Sequence, residues 1–131
     1  MIVITTQCFS PKIGGIESLM TGMADAMSEV GKDVLVLADG RNTTDDKNKK
    51  YKIKRFSGWK PYRRRRKAIY LKKFIENNNV EAIYADSWKS IEYLKDVNIK
   101  IIVLAHGTEI PKKYFDSFYA YLNIKKRRII K

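Results

Sequence analysis

The stretch MIVITTQCFSPKIGGIES, residues 1–18, decides the fold class of this chain. Its early part, IVITT at 2–6, is a short run of β-branched and apolar residues, which is typical of a buried strand. Gly14 and Gly15 then signal a turn. From Ile16 onward the apolar residues recur at helical spacing. The stretch therefore predicts a strand, a glycine-containing loop and a helix, in that order.

The same alternation of strands and helices continues along the chain. Three methionines form a core-facing stripe on the first helix, which we expect to end near Gly31. Four further strands are predicted at Asp33–Asp39, Tyr51–Phe56, Ala82–Asp86 and Lys100–Ala105. Helices are predicted over Arg64–Glu76, over Ser90–Lys95 and after Pro111, and the polar segment 40–50 is expected to be mobile. The pattern predicts a doubly wound, Rossmann-like parallel α/β sheet with strand order 3-2-1-4-5.

Length and composition indicate one globular domain. The 131 residues are enough to bury a core, and no apolar run approaches the roughly 20 residues that cross a bilayer. Cys8 is the only cysteine, which excludes an internal disulfide and fits a reducing compartment. We expect Cys8 to be a small buried residue rather than a nucleophile, because no base is placed beside it in the sequence. The sequence therefore predicts a cytosolic protein.

The positive charge is concentrated in one segment. Lys and Arg number 27 against 14 acidic residues, and Arg41–Lys73 contains 15 basic and 2 acidic residues, which accounts for the whole net charge of +13. The run RRRRK, Arg63–Lys67, opposes the helix dipole at a predicted helix start, and an anionic partner would relieve that cost. The flanking aromatics Trp59, Tyr62 and Tyr70 suit a membrane interface or a nucleic-acid surface. A solvated helix start is the plain alternative.

Polar residues follow three predicted strands, where ligands of such sheets bind. Gly14 and Gly15 open a helix, whose free N–H groups suit a phosphate, although a tight turn without a ligand also explains them. Asp86, with Ser87, would hydrogen-bond sugar hydroxyls or cap the next helix. His106 is the only histidine, so it is either structural or a ligand contact, and a zinc site is not expected.

Four segments together resemble the N-terminal domain of family-4 glycosyltransferases, which have the GT-B fold. FSPKIGGIES at 9–18 matches the family's P-x-x-GG-x-E loop after an apolar strand. The methionine-rich helix leads into GKDVLVLAD at 31–39, which matches the G-[HK]-x-V element. AHGTE at 105–109 matches a strand that ends in His-Gly. The resemblance extends through essentially all 131 residues.

The resemblance implies a retaining, metal-independent enzyme that moves a sugar from a nucleotide-sugar donor to a glycan or lipid-linked acceptor, as in cell-surface polysaccharide biosynthesis. By this likeness Gly14 and Gly15 lie against the donor diphosphate. His106 is the catalytic residue near the donor sugar, and Gly107 allows close approach there. Further candidates for sugar or acceptor contacts are Glu17, Asp86, Thr108 and Glu109. No cofactor or metal is implied, since the nucleotide-sugar is a substrate.

The resemblance also implies which parts and partners complete the enzyme. Residues 1–131 correspond to a single acceptor-side domain, truncated near its C-terminal end. The nucleotide-binding C-terminal domain would belong to a longer chain or a second polypeptide, and this chain alone is expected to be inactive. Because acceptors of the family are often lipid-linked, we expect the enzyme to rest peripherally on an anionic membrane at its cytoplasmic face. The residues predicted to contact that membrane are Arg63, Arg64, Arg65, Arg66, Lys67, Lys72 and Lys73.

Two other functions are compatible with the sequence. A basic nucleic-acid-binding module explains the charge but not the glycine loop or AHGTE, and no nucleic-acid-binding signature is present. A small nucleotide-binding regulator with the same α/β fold is the second alternative.

Overall fold

The computed structural model describes residues 1–94 and 96–104. Its elements in chain order are β1 (Ile2–Thr6), α1 (Gly15–Glu29), β2 (Val34–Asp39), a 3₁₀ turn (Thr44–Asn48), β3 (Lys52–Phe56), α2 (Lys60–Asn77), β4 (Ala82–Ala85), a second 3₁₀ turn (Trp88–Ile91) and β5 (Lys100–Val103). Within the described ranges, no helix has the length and apolar character needed to cross a bilayer. The helix predicted after Pro111 lies outside the described residues.

The five strands form one parallel sheet in the order β3-β2-β1-β4-β5. This confirms the predicted α/β class and strand order. β1 lies at the centre, where Ile4 pairs with Val36 of β2 on one side and with Tyr84 of β4 on the other. The central strands read as continuous apolar runs because both faces of a parallel sheet are buried.

Two apolar clusters lie on opposite faces of the sheet. On the α1 face, Ile4 and Val36 are in the same cluster as Met20, and Met23 and Met27 pack against it. This confirms the predicted methionine stripe. On the α2 face the fully buried residues include Val3, Leu37, Leu71 and Ile83. Adjacent strand residues such as Val3 and Ile4 enter different clusters because side chains alternate across a strand.

Helix α1 ends as the sequence predicts. Gly31 follows it with φ of 88°, a left-handed conformation that favours glycine. The N–H of Gly31 donates to the Ser28 carbonyl, and the N–H of Lys32 donates to the Met27 carbonyl, both at 3.1 Å. These two bonds form a Schellman motif, which satisfies carbonyls that the helix end would otherwise leave without partners.

Two local helix predictions differ from the structure. Helix α2 begins at Lys60 rather than Arg64, because Pro61 fits the first turn, where its missing N–H costs nothing. The short helix predicted at Ser90–Lys95 is a 3₁₀ turn at Trp88–Ile91. The polar segment 40–50, whose mobility stays a prediction, contains the Thr44–Asn48 turn, which begins with a capping box between Thr43 and Asp46.

Candidate functional site at the carboxyl edge of the sheet

The carboxyl ends of β1 and β4 meet where the chain changes direction in the sheet. From β1 the chain proceeds through β2 to β3 on one side, and then crosses to β4 and β5 on the other. The loop after β1, which leads to Gly14 and Gly15, therefore lies at a topological switch point. In open parallel sheets this is the position where ligands bind.

The start of α1 lies beside open space. Gly15 is the first residue of the helix, and a Cβ added there would meet no atom within 4 Å among the described residues. No side chain of that part of the chain makes a capping hydrogen bond to the helix start. The carbonyl of Gly14 accepts the first helical bond from the N–H of Ser18 at 3.0 Å. The first N–H groups of α1 thus remain open to an anion.

The Glu17 side chain lies against Gly14 at the start of α1. A Cβ on Gly14 would clash with Glu17 Oε2, which shows that the flexible carboxylate is folded back against the Gly14 backbone. A carboxylate in the first turn of a helix also interacts favourably with the helix dipole. Glu17 therefore holds negative charge close to the place that a bound phosphate would occupy.

The Glu17 carboxylate is close enough to Cys8 to affect the pKa of its thiol. Burial raises the pKa of the Cys8 thiol, and the negative charges of Glu17 and Asp86 raise it further. The side chain is half-buried, and the cysteine is not in a disulfide. A raised pKa keeps the thiol protonated, which agrees with the prediction that Cys8 is not an activated nucleophile.

Asp86 ties the ends of β4 and β1 together. It is 3% exposed, and its Oδ2 accepts hydrogen bonds from the hydroxyl of Thr6 and from the N–H of Gln7, both at 2.8 Å. Its Oδ1 accepts a hydrogen bond from the hydroxyl of Ser90 in the following 3₁₀ turn. Ser87 occupies the N-cap position of that turn without making a side-chain capping bond. Both oxygens of Asp86 are thus used within the chain, so its role here is to hold the edge together.

A buried ion cluster covers the end of β2. The Nζ of Lys67 lies 2.5 Å from Asp39 Oδ1 and donates to the Thr6 carbonyl at 2.9 Å, and the Nε of Arg63 lies 3.1 Å from Asp39 Oδ2. Burial lowers the pKa of Lys67, and the Asp39 carboxylate opposes this effect. The anion that relieves the cationic start of α2 is therefore the chain's own Asp39.

This cluster corrects the predicted membrane-contacting set. Lys67 is only 3% exposed, so it cannot rest on an external surface. Arg63 is directed at Asp39, and Arg64 lies 3.9 Å from Glu92. The spacing of α2 places these residues toward the sheet, on the same side as Leu71. The sequence run RRRRK therefore splits between two faces of one helix.

The other predicted cations face outward. Arg65 and Arg66 are exposed, with their guanidinium groups over the rings of Tyr93 and Tyr62. Lys73 is exposed and Lys72 is half-buried. Two apolar side chains share this outward side, since Tyr62 is 62% exposed and Ile69 is 56% exposed. We refer to Tyr62, Arg65, Arg66, Ile69 and Lys73 as the α2 outer face.

Arg55 is a residue that the sequence reasoning missed. Its Nε and Nη2 bind the two oxygens of Asp46 at 2.8 and 2.7 Å. It also donates to the carbonyls of Asp39 and Ser10, and its guanidinium lies over the Phe9 ring. Arg55 thus joins β3, the Thr44–Asn48 turn and the loop that leads to Gly14. The alternation of YKIKRF does place Arg55 on the side opposite Lys54, but its partners are distant in sequence.

The remaining predicted site residues lie outside the described part of the chain. These are His106, Gly107, Thr108 and Glu109. The described chain reaches Leu104, whose N–H donates to the Ala85 carbonyl at 2.9 Å, at the same edge as Asp86. Within residues 1–94 and 96–104, no group of three or more His, Cys, Asp or Glu side chains is arranged to hold a metal ion.

The fold and the edge geometry define an α/β protein with a Rossmann-like parallel sheet and an open helix start at its switch point. No protein-family model matches the chain, and no curated protein matches it in sequence.

Proposed function

We propose that this chain is the acceptor-side domain of a retaining glycosyltransferase of the GT-B fold. In this proposal the enzyme moves a sugar from a nucleotide-sugar donor to a glycan or lipid-linked acceptor. The observation that carries the proposal is the open, uncapped start of α1 at the switch point, with free space over Gly15. A diphosphate placed there would accept hydrogen bonds from the first N–H groups of the helix and would interact favourably with its dipole.

The ion pairs of Asp39 favour this function over that of a nucleotide-binding regulator that would hold its ligand in the way dinucleotide-binding sheets do. In dinucleotide-binding sheets an acidic residue near the end of the second strand binds a ribose hydroxyl. Asp39 holds that position, but its two oxygens are paired with Lys67 and Arg63, and its side chain is 8% exposed. A ribose would have to break a buried ion cluster to reach it. A diphosphate at Gly15 would leave that cluster intact and would require only that the flexible Glu17 carboxylate turn away from the helix start.

The catalytic part of the proposal rests on the resemblance. His106 would contact the donor sugar, and Thr108 and Glu109 would contact the sugar or the acceptor. The described residues contribute the diphosphate contact alone, so the base and ribose need a second domain. Because transfer requires both substrates in reactive register, this chain by itself should not catalyse it.

The α2 outer face supports a membrane surface as the place of action. Residues 60–75 contain no acidic residue, and the outward side combines exposed cations with an exposed aromatic and an exposed aliphatic side chain. Trp59, which precedes the helix, is 78% exposed. Cations with interfacial aromatics suit an anionic leaflet, to which each nearby cation contributes about 1 kcal/mol.

Saturation-transfer NMR with UDP-glucose and GDP-mannose tests the proposed function, together with a product assay by mass spectrometry. We expect weak saturation of the ligand protons that flank the diphosphate, the sugar anomeric proton and the ribose H5′ protons, with little saturation of the base protons and no transfer. Strong saturation of the base protons with none on the sugar would contradict the proposal. Turnover by this chain alone would also contradict it.

A further inference from the structure

A cationic groove lies along β3, far from the glycine loop in sequence. It has a volume of about 560 Å³, which is within the usual range for a ligand site. We refer to it as the β3 groove. Its lining includes five cations and one carboxylate, namely Lys47, Lys49, Lys52, Lys54, Arg55 and Asp46.

Most of this charge is not neutralised within the groove. Arg55 is paired with Asp46, and Lys49 is paired with Asp25 at 3.2 Å. Lys52 and Lys54 are exposed, as is Lys47 on the neighbouring 3₁₀ turn. None of these three lysines forms an ion pair with another residue of the described ranges. The groove therefore favours a ligand that carries several negative charges.

The backbone of β3 adds a second recognition element. In the sheet that the described residues form, β3 is an edge strand that pairs with β2 alone. The N–H and C=O groups along its outer edge thus lack a strand partner there. Such an edge accepts an added strand, and Lys52 and Lys54 would then stand about 6.6 Å apart on one side of it. This spacing matches carboxylates at alternate positions of an extended peptide.

The two aromatic residues of the groove, Tyr51 and Tyr70, argue against a nucleic acid as the occupant. Tyr51 is only 8% exposed, and its hydroxyl donates to Asp25 at 2.7 Å. Single-stranded nucleic acids bind largely by stacking bases on exposed rings. Tyr70 is covered by the Nζ of Lys54, 4.7 Å from the ring centroid, and it stacks on Phe74. The Tyr70 ring therefore already packs against Lys54 and Phe74, which disfavours stacking of a base on it.

We propose that the β3 groove binds an acidic, extended segment of a partner protein by strand addition. The partner has Asp or Glu at alternate positions, which pair with Lys52 and Lys54, while its backbone hydrogen-bonds to the outer edge of β3. The same lysines repel a second copy of β3, so they prevent self-association while they attract an acidic strand. The proposal is independent of sugar transfer.

Fluorescence anisotropy of the full chain with a labelled decapeptide of alternating Glu and Thr tests this proposal. We expect saturable binding that weakens at high salt. Lys52→Glu with Lys54→Glu should weaken binding at least tenfold. The matched control is Lys89→Glu with Lys100→Glu, which changes the net charge equally at exposed positions elsewhere, one of them on the opposite edge strand. We expect no more than a threefold loss in the control.

Two further measurements test the proposed hydrogen bonds between the peptide backbone and the outer edge of β3. Methylation of alternate peptide nitrogens should abolish binding, and the unmodified peptide should slow hydrogen exchange of β3 amides. Equal loss in both double variants would overturn the proposal, as would full binding by the methylated peptide. Tighter binding of single-stranded DNA at the same lysines would overturn it as well. Circular dichroism of each variant checks that the fold is retained.

Discussion

Cys8 reports on the charge at the carboxyl edge of the sheet. It is the only cysteine of the chain, it is half-buried, and burial followed by the Glu17 and Asp86 carboxylates raises its pKa. Thiol alkylation proceeds through the thiolate, so its rate at a given pH depends on this pKa. A change in charge beside Gly14 is therefore visible in the rate at which Cys8 reacts.

Glu17→Gln should make Cys8 more reactive. The substitution removes a negative charge but keeps the size of the side chain against Gly14, so the thiol pKa falls and more thiolate is present. We expect severalfold faster alkylation by iodoacetamide at pH 8. The exposed Glu76→Gln on α2 is the matched control and should leave the rate unchanged. An unchanged pH profile in Glu17→Gln would show that the Glu17 charge does not reach Cys8.

At the scale of single residues, the sequence predicted the position of the glycine loop but not all of its causes. Gly14 and Gly15 do stand at a helix start, as the strand-to-helix pattern indicates. The P-x-x-GG-x-E pattern also contains Glu17, but it does not show that the Glu17 carboxylate folds back against Gly14. Asp86 bonds to Thr6, 80 residues away, so its structural role follows from the sheet order rather than from neighbours in sequence.

Among the elements, the Thr44–Asn48 turn depends on Arg55. The Arg55 and Asp46 side chains are 4% and 10% exposed, so removal of the cation leaves a carboxylate that is poorly solvated. Breaking a buried pair from one side commonly costs about 3 kcal/mol or more. We expect Arg55→Met to lower the free energy of unfolding in urea by about 3 kcal/mol. Lys32→Met, which breaks a solvent-exposed pair with Glu81, should scarcely move the urea midpoint. Similar losses in both variants would contradict the structural role of Arg55.

The same pair makes stability depend on pH. The hydrogen bond from Arg55 is the main reason that the pKa of Asp46 lies below its ordinary value. This stabilisation is fully present above the unfolded-state pKa near 3.8 and is lost as the pH falls through the folded-state pKa. In thermal unfolding between pH 2.5 and 6, Asp46→Asn should therefore flatten the dependence below about pH 4. If Asp46→Asn unfolds with the same pH dependence as the wild type, the Arg55–Asp46 pair is not the source of that dependence.

The α2 outer face should bind anionic membranes. Arg65→Glu with Lys73→Glu removes two cations, worth about 1 kcal/mol each, so co-sedimentation with phosphatidylserine-containing liposomes should weaken about 30-fold or more. Ile69→Ser should weaken binding without changing its salt dependence. Lys89→Glu with Lys100→Glu is the charge-matched control. Binding of the wild type should also fall as salt shortens the screening length. Equal binding to neutral liposomes would contradict the proposed membrane contact. An equal loss of liposome binding in the control variant would contradict it as well.

Helix α2 shows what periodicity can and cannot predict. The spacing of its apolar residues gives the inward side correctly, with Leu71 buried. It does not reveal that Lys67 points the same way, since a buried lysine is stable only beside a carboxylate such as Asp39. The start at Lys60 was missed because the apolar pattern begins later than the helix, whereas Pro61 marks its first turn.

Across the whole molecule, the sheet order and the position of the glycine loop were predictable from alternation and turn signals. The distribution of charge was not. The segment Arg41–Lys73 carries the entire net charge, and the fold divides it among the Asp39 cluster, the α2 outer face and the β3 groove. That division depends on which side of each helix and strand faces solvent. The packing of the fold determines this, and the sequence pattern alone does not reveal it.

A titration of UDP-glucose monitored by ¹H–¹⁵N NMR tests the central claim, that the start of α1 holds a donor diphosphate. We expect the shifts to centre on the first turn of α1, with a dissociation constant in the millimolar range, near about −4 kcal/mol, because no second domain holds the base and ribose. Gly15→Val should abolish these shifts while the fold persists, since a side chain there meets no described atom within 4 Å. Gly22→Val, at an exposed glycine later in the same helix, should bind like the wild type. Micromolar affinity in the isolated chain, or unchanged binding by Gly15→Val, would contradict the account.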